Sequence, residues 1–477
     1  NRMIAWGITA AVCDDVEIYR EKIHPVEPDN YATGEGWEEF TVQREMIGVR
    51  RKRGVEKTIR WTRHGPVLGD FSAPANSKEV LAVRWTAHEP SQELRGLLAL
   101  NRARNWREFL DALRWHSAPS LNFVYADRDG NIGYTLAGKL PKRQHPSLLP
   151  VNGWDDRNEW REFIPFDELP RLYNPIDGVV ATANHRIADA AYPYYLSHFF
   201  EPPHRIRRIE QLLASRKTLS RDALATMQLD AVSLHAKAFI ELIGPELRNL
   251  SDEPADVRSA AERLLSWDGS CAEDGVEAAI FHVLHHRILS NLLKPELGEN
   301  VFDAYVEILN QCIVPTDSIL GNPQSIWFAG KSRNALVRQS LRQACVELTA
   351  ELGAAIESWR WGKIHQLQIN HAFGRSKLLK PLLGVGPFAA SGDGMTINFG
   401  FYRHSNPYAQ TAGPSLRFTA ELGAQPSSEF ILPTGQSGHP LSPHYRDQTH
   451  LWRRGRGIDL TSEQPRQSGR HLILRAD

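Results

Sequence analysis

Hydrophobic and polar residues alternate with a period of two along much of the first part of the chain. The pattern is clearest in three segments, EEFTVQREMIGV (38–49), KTIRWT (57–62) and EVLAVRWTA (79–87). Alternation places one set of side chains on each face of a strand, so these segments predict an antiparallel sheet. The basic stretch RRKRG between the first two segments predicts an exposed hairpin turn.

A helical period replaces this alternation between residues 204 and 360. Within 334–359 the apolar residues recur every three or four positions, which predicts one buried helical stripe formed by Val337, Leu341, Cys345, Leu348, Leu352 and Ile356. Residues 361–477 return to strands and loops rich in Gly and Pro. Sheet, helices and sheet again predict one α+β domain over residues 1–477, with 1–203 mainly sheet and loops.

The composition narrows the class of function. The 477 residues contain 56 Lys and Arg and 56 Asp and Glu, with a pI near 7.5, which disfavours a nucleic-acid partner or an anionic membrane surface. The sequence has no apolar run of the length that spans a membrane. Its four cysteines are widely spaced, so a disulfide framework is not expected.

One short segment has the spacing of metal ligands. FHVLHHR places His282, His285 and His286 on successive turns of a predicted helix. The neighbouring apolar residues also suit a buried helix face, and no carboxylate is near in sequence. A metal-dependent hydrolase therefore stays open as an alternative, although no complete catalytic constellation stands out from the residues alone.

An acidic turn follows the first strand-like segment. The sequence CDDVEIY sets Asp14, Asp15 and Glu17 within four positions. Such a turn can supply oxygens to a hard cation, or it can be an ordinary solvated turn. Spacing alone favours the solvated turn.

Five motifs stand in the order found in the penicillin acylase (penicillin amidase) family. They are NRMIAWGITAAVCDDVEIY, NFVYADRDGNIGYTLAGKLPKR, YNPIDGVVATANHRI, GDGMTINFG and GQSGHPLSPHYRDQTHLW. The resemblance runs from residue 1 to about residue 455. It implies an N-terminal-nucleophile hydrolase with a four-layer αββα sandwich, made as a precursor (zymogen) that cuts itself into an α chain and a β chain. The implied nucleophile is a Ser at the first position of the β chain, with its own α-amino group as base.

The resemblance also implies that this chain begins within the β chain. In the family the Asn of the first motif follows the catalytic Ser by several dozen residues, and here it is Asn1. We therefore expect a chain truncated at its N-terminus and inactive without the missing segment and the α chain. The alternative is a non-catalytic remnant, a binding or scaffold protein that kept the fold.

The resemblance assigns roles to individual residues. Ala10 matches the backbone donor and Asn184 the side-chain donor to the oxyanion that forms during acyl transfer. Arg205 matches an Arg that orients the active-site groups, although it also suits the exposed start of a helix. Leu97 and Leu121 match two residues of the acyl pocket. Leu at position 97 favours an aliphatic acyl group, so the expected substrate is a linear amide of the N-acyl homoserine lactone, lipopeptide, penicillin or cephalosporin type.

A structural calcium ion is a further implication of the resemblance. Its ligands would be Asp14, the carbonyl of Val16, Glu17 and a Pro that matches Pro146. No cofactor is expected for the chemistry itself. The family also implies a periplasmic or secreted location.

Overall fold

The computed structural model describes residues 1–70, 80–215, 218–307, 312–328, 330–376 and 378–460. The chain divides into two compact units, Asn1–Glu201 and Pro202–Asp477. Both strands and helices contribute to the structure, so the predicted α+β class is confirmed. Among the described helices, none combines the length and apolar character needed to cross a membrane.

The first unit is built mainly of strands. They are β1 (Ile4–Ala10), β2 (Val16–Glu21), β3 (Asn30–Thr33), β4 (Gly36–Glu39), β5 (Thr41–Ile47), β6 (Val55–Thr62), β7 (Gly65–Pro66), β8 (Val80–Trp85), β9 (Leu121–Asp127), β10 (Ile132–Ala137), β11 (Val151–Asn152) and β12 (Arg171–Tyr173). The helices of this unit are α1 (Glu93–Arg102) and α2 (Trp106–Leu113).

These strands form small sheets, with the orders β1-β9-β10-β12, β11-β2-β8, β5-β6-β7 and β3-β4. The three alternating segments lie in β5, β6 and β8, and β5 pairs antiparallel with β6. RRKRG lies between β5 and β6, so the strands and the hairpin turn are confirmed; Glu79 lies outside the described residues. Strand β8 pairs instead with β2, a partner that the alternation did not reveal.

The sheet that carries β1 rests on α1 and α2. Helix α2 is capped by Asn105, whose side-chain oxygen accepts a hydrogen bond from the Glu108 backbone N–H at 3.0 Å. Its buried face includes Phe109, which packs with Phe123 of β9 and Ile4 of β1. This apolar cluster joins α2 to both strands of the β1–β9 pair.

The second unit contains most of the helices. They are α3 (His204–Ala214), α4 (Arg221–Met227), α5 (Leu234–Arg248), α6 (Ala255–Ser266), α7 (Val276–Leu297), α8 (Glu299–Val306), α9 (Ile313–Gly321), α10 (Arg333–Leu352), α11 (Trp361–Ile364), α12 (Lys380–Leu383) and α13 (Thr449–Arg453). Its strands are β13 (Gln366–Ile369), β14 (Val385–Ala389), β15 (Phe401–Arg403), β16 (Asn406–Ala412), β17 (Arg417–Glu421), β18 (Ser427–Ile431) and β19 (Ile458–Asp459). They form the sheets β14-β13-β16-β15 and β17-β18-β19.

The core of the second unit surrounds α7, which is buried along most of its length. Helix α10 packs against it with the predicted stripe, and Val337, Leu341, Cys345 and Leu348 are all buried. The prediction that Cys345 is a core residue is confirmed. The helix stops earlier than the stripe suggested, because Gly353 follows Leu352 with φ of 96° and ends it. Ile356 packs against the same core from a separate 3₁₀ turn.

Candidate functional site

Strand β1 ends at Ala10, beside the loop that carries Asn184. The Asn184 side-chain nitrogen Nδ2 donates a hydrogen bond to the Ala10 carbonyl oxygen at 2.8 Å. Ala10 is exposed and Asn184 is partly exposed, so solvent reaches the pair. An amide nitrogen carries two hydrogens, and this bond uses one of them. The structure thus brings together the two residues that the sequence assigned to an oxyanion hole.

The backbone of Asn184 has an uncommon conformation. Its φ is 62°, in the left-handed region that Asn tolerates better than other residues with a Cβ. The carbonyl oxygen of Asn184 accepts a bond from the Glu201 backbone N–H at 3.0 Å. Asn therefore suits the backbone conformation that directs its side-chain amide toward Ala10.

The side-chain amide of Asn122, which lies in the sheet, also bonds to the Ala10 carbonyl oxygen. Asn122 is buried in β9, and its Nδ2 lies 3.2 Å from the Ala10 oxygen. The same nitrogen lies 3.2 Å from Thr9 Oγ1 and 3.1 Å from Thr182 Oγ1, while the Tyr134 hydroxyl donates to Asn122 Oδ1 at 2.7 Å. This network ties β1 to the loop before Asn184. Sequence reasoning missed Asn122, although it stands next to Leu121 in a recognised motif.

The two predicted pocket residues lie in different surroundings. Leu121 is the first residue of β9 and pairs with Ala10 in the antiparallel register. Leu97 lies on α1, where it is about half exposed. The first turn of α1 is connected to the approach to β9, because a Glu93 carboxylate oxygen accepts the Ser117 N–H at 3.1 Å. The structure therefore places Leu121 beside the Ala10–Asn184 pair, and α1 is joined to the same strand through Glu93.

Arg205 belongs to the second unit. It lies in the first turn of α3, and its guanidinium carbon is 5.3 Å from the centre of the Phe399 ring. This stacking distance is typical of a cation–π contact. Its predicted orienting role stays a prediction.

The acidic turn after β1 surrounds a guanidinium. Nη2 of Arg143 donates to the carbonyl oxygens of Asp14, at 3.0 Å, and Val16, at 2.7 Å. Nη1 forms an ion pair with Glu17, and the Tyr195 hydroxyl donates to the Asp14 carboxylate. Burial lowers the pKa of Arg143, although the Asp14 carboxylate opposes that shift. The Arg143 guanidinium thus occupies the position in this turn that a bound cation would take.

Comparison with known proteins identifies the fold and the family. A model of the penicillin amidase family matches residues 1–467. This chain belongs to the penicillin amidase family. The resemblance read from the five ordered motifs is confirmed.

Curated relatives match this penicillin amidase family member along nearly its whole length. An acyl-homoserine lactone acylase of Pseudomonas fluorescens strain Pf0-1 is 29% identical over 96% of this chain. The penicillin acylase 2 proenzyme of Pseudomonas sp. strain SE83 is 27% identical over 95% of it. The chain spans 58% of the length of each of these two relatives.

A solved structure confirms the fold. The thermostable penicillin G acylase from Alcaligenes faecalis matches with a TM-score of 0.71 at 22% identity, covering 100% of this chain and 89% of that one. At that identity the match establishes the fold alone. It supports the α+β N-terminal-nucleophile architecture that the resemblance implied.

The calcium ion implied by the family does not fit the acidic turn as this family member arranges it. Calcium needs six to eight oxygen ligands. Here the carbonyls of Asp14 and Val16 and the carboxylate of Glu17 already face the positive guanidinium of Arg143. Pro146 is exposed. Calcium binding stays a prediction, and no chemical step is assigned to it.

The three histidines of FHVLHHR do not share one set of partners. His282 Nε2 faces Cys271 and Asp393, whereas His285 belongs to a group with His235 and Asp317. His286 Nδ1 lies 3.2 Å from Nδ1 of His404. The helical spacing therefore did not predict the grouping, since each carboxylate comes from a distant segment.

Proposed function

We propose that this chain forms part of an amidohydrolase that cleaves a linear N-acyl amide through an acyl-enzyme. The observation that carries the proposal is the Asn184 amide, held 2.8 Å from the Ala10 carbonyl at the end of β1. Membership of the penicillin amidase family supports it. The proposed nucleophile is the N-terminal Ser that the family resemblance implies, and the proposed partner is the α chain of the same precursor.

In this proposal the residues of the chain stabilise charge. Attack on an amide carbonyl moves negative charge onto its oxygen, and donors fixed in advance lower the barrier because they need not reorganise. The Asn184 amide and the Ala10 backbone N–H are the proposed donors. Asn122 is proposed to hold Ala10 in position from inside the sheet. Arg205 is proposed to orient the reacting groups.

The proposed substrate has an aliphatic acyl group. Leu121 lies opposite Ala10 in the strand register, and Leu97 presents a half-exposed aliphatic side chain on α1. Aliphatic walls bind acyl chains through burial of apolar surface and offer no ring for stacking. An N-acyl homoserine lactone is our first candidate, and penicillin-type or lipopeptide amides are the next. We place the enzyme in the periplasm or outside the cell.

The test is amine release by the assembled enzyme. The 477 residues are produced together with a Ser-led segment and an α chain from an acyl-homoserine lactone acylase. We expect hydrolysis of N-acyl homoserine lactones and weaker hydrolysis of a phenylacetyl amide. Asn184→Ala and Asn184→Gly should both lower kcat by roughly 10²–10³, the usual loss for one oxyanion donor.

Comparing the Ala and Gly variants separates loss of the oxyanion donor from loss caused by backbone strain. Ala is strained at a φ of 62°, whereas Gly adopts it freely, so a loss caused by strain alone would spare the Gly variant. Asn174 is a matched control, because it is also an Asn with positive φ, 48°. Asn174→Gly should keep full activity. Full activity of Asn184→Gly would overturn the assignment, and no activity in any assembly would favour a binding or scaffold protein.

A further inference from the structure

A group of three metal-ligand side chains lies at the centre of the second unit. Cys271 comes from the loop after α6, His282 from α7 and Asp393 from the segment after β14. Their exposed fractions are 0%, 4% and 2%. We refer to these three residues as the central triad.

The distances within the central triad are those of ligands around a shared ion. Cys271 Sγ lies 3.7 Å from His282 Nε2 and 3.6 Å from Asp393 Oδ2, and His282 Nε2 lies 3.5 Å from the same oxygen. Zinc bonds of about 2.0–2.3 Å at tetrahedral angles place the ligand atoms about 3.3–3.7 Å apart. The His–Asp separation, by contrast, exceeds the usual length of an N–H···O bond.

Neighbouring residues orient the ligand atoms of the central triad toward one another. The Tyr402 hydroxyl lies 3.0 Å from His282 Nδ1, and Trp361 stacks on the imidazole at 4.1 Å, which leaves Nε2 toward the triad. Asp393 Oδ1 accepts the Met395 N–H at 2.6 Å, so Oδ2 faces Cys271 and His282. A partner on the second nitrogen is usual for metal-bound histidine.

A bound cation is compatible with the charges of the central triad. Without a positive charge beside them, a buried thiol and a buried carboxyl group stay protonated and neutral. A divalent cation bound to the thiolate and the carboxylate also leaves the group neutral overall. Thiolate with imidazole and carboxylate is a donor set that suits zinc better than calcium or magnesium.

A small cavity adjoins the central triad. Its volume is about 30 Å³, and its walls include His282, Asp393, His235, His285 and His404. One water molecule fits in a space of this size. A fourth ligand to the ion can therefore be a water in this cavity.

We propose that Cys271, His282 and Asp393 bind one zinc ion that stabilises the helical core of this protein. The site shares no residue with the Ala10–Asn184 pair, and the proposal does not depend on the proposed amidase activity. Because the ligands are sealed from solvent, the ion enters as the unit folds.

The first test measures zinc in the purified protein. The chain is refolded with zinc, dialysed and analysed by inductively coupled plasma mass spectrometry. We expect one zinc per chain, and Asp393→Asn or Cys271→Ala should lower the retained zinc at least about tenfold. Cys345→Ala is the matched control, since Cys345 is another buried cysteine of the same core, and it should keep its zinc.

The second test identifies the ligand directly and does not need a folded variant. Cobalt replaces zinc in the wild-type protein, and bonding to the thiolate should give a charge-transfer band in the near ultraviolet. A wild-type protein without stoichiometric metal would overturn the proposal, as would cobalt binding without that band. Zinc that is lost in His285→Ala but kept in Cys271→Ala would overturn it in favour of the neighbouring His235–His285–Asp317 group.

Discussion

At the scale of single residues, the two sites of the first unit differ in how the sequence reveals them. Asn184 was predicted from its motif, and the structure shows why Asn suits the position: the backbone has a φ of 62° and the amide reaches Ala10. Arg143 was not predicted. Its three acceptors follow β1, more than a hundred positions earlier in the chain, and spacing carries no information about so distant a contact.

Arg143 leads to a prediction about added calcium. Calcium should leave the melting temperature of the chain unchanged, because a guanidinium rather than an ion bonds to Asp14, Val16 and Glu17. Arg143→Ala should lower the free energy of unfolding by about 3 kcal/mol, since it leaves the Glu17 carboxylate, whose side chain is only 11% exposed, without its partner. Thermal melts with and without added calcium measure both effects.

The control variant replaces the planar guanidinium of Arg143 with an ammonium group. Arg143→Lys should recover only part of the loss, because an ammonium lacks the planar fork that reaches several acceptors. A rise in the melting temperature of the wild-type protein on adding calcium would contradict this interpretation.

At the scale of elements, one buried histidine connects three segments of the first unit. His64, in the turn between β6 and β7, has Nδ1 at 2.7 Å from Glu21 of β2 and Nε2 at 2.8 Å from Glu159. Tyr19 of β2 stacks on its ring at 3.7 Å. Burial alone would lower the pKa of His64, but the bonds to Glu159 and Glu21 outweigh it, so the pKa is raised.

This network predicts a pH dependence of stability. A raised folded pKa means that the contribution is complete below the unfolded pKa of about 6.5 and is lost as the pH rises through the folded value. His64→Asn should therefore destabilise the protein more near pH 6 than near pH 9. Urea unfolding of both proteins at the two pH values measures the difference. An equal effect at both pH values would show that folding does not raise the pKa of His64.

The sequence predicted local elements better than their partners. Alternation correctly located β5, β6 and β8, and the 3.6-residue period correctly located the buried face of α10. Neither pattern could show that β8 pairs with β2, or that Asp393 lies close to His282, because such contacts form between segments far apart in the chain. The Ala10–Asn184 pair was predictable only because a whole family motif surrounds each residue.

At the scale of the whole molecule, charge balance has a measurable consequence. The 56 basic and 56 acidic side chains cancel near a pI of 7.5. Molecules without net charge repel one another least, so the solubility of this chain in low salt should be lowest near that pH and rise on either side. Precipitation measured across a pH series tests this. A solubility that changes in one direction only would show that local patches outweigh the net charge.

Cys271 is completely buried, so the rate at which a thiol reagent labels it measures the opening of the core. In protein prepared without zinc, a thiol reagent can reach its sulfur only when the packed core around α7 opens, so the labelling rate of Cys271 reports how often that opening happens. Cys345 lies in the same core on α10. Equal labelling rates for the two thiols would mean that the core opens as one body, and unequal rates would show which helix loosens first.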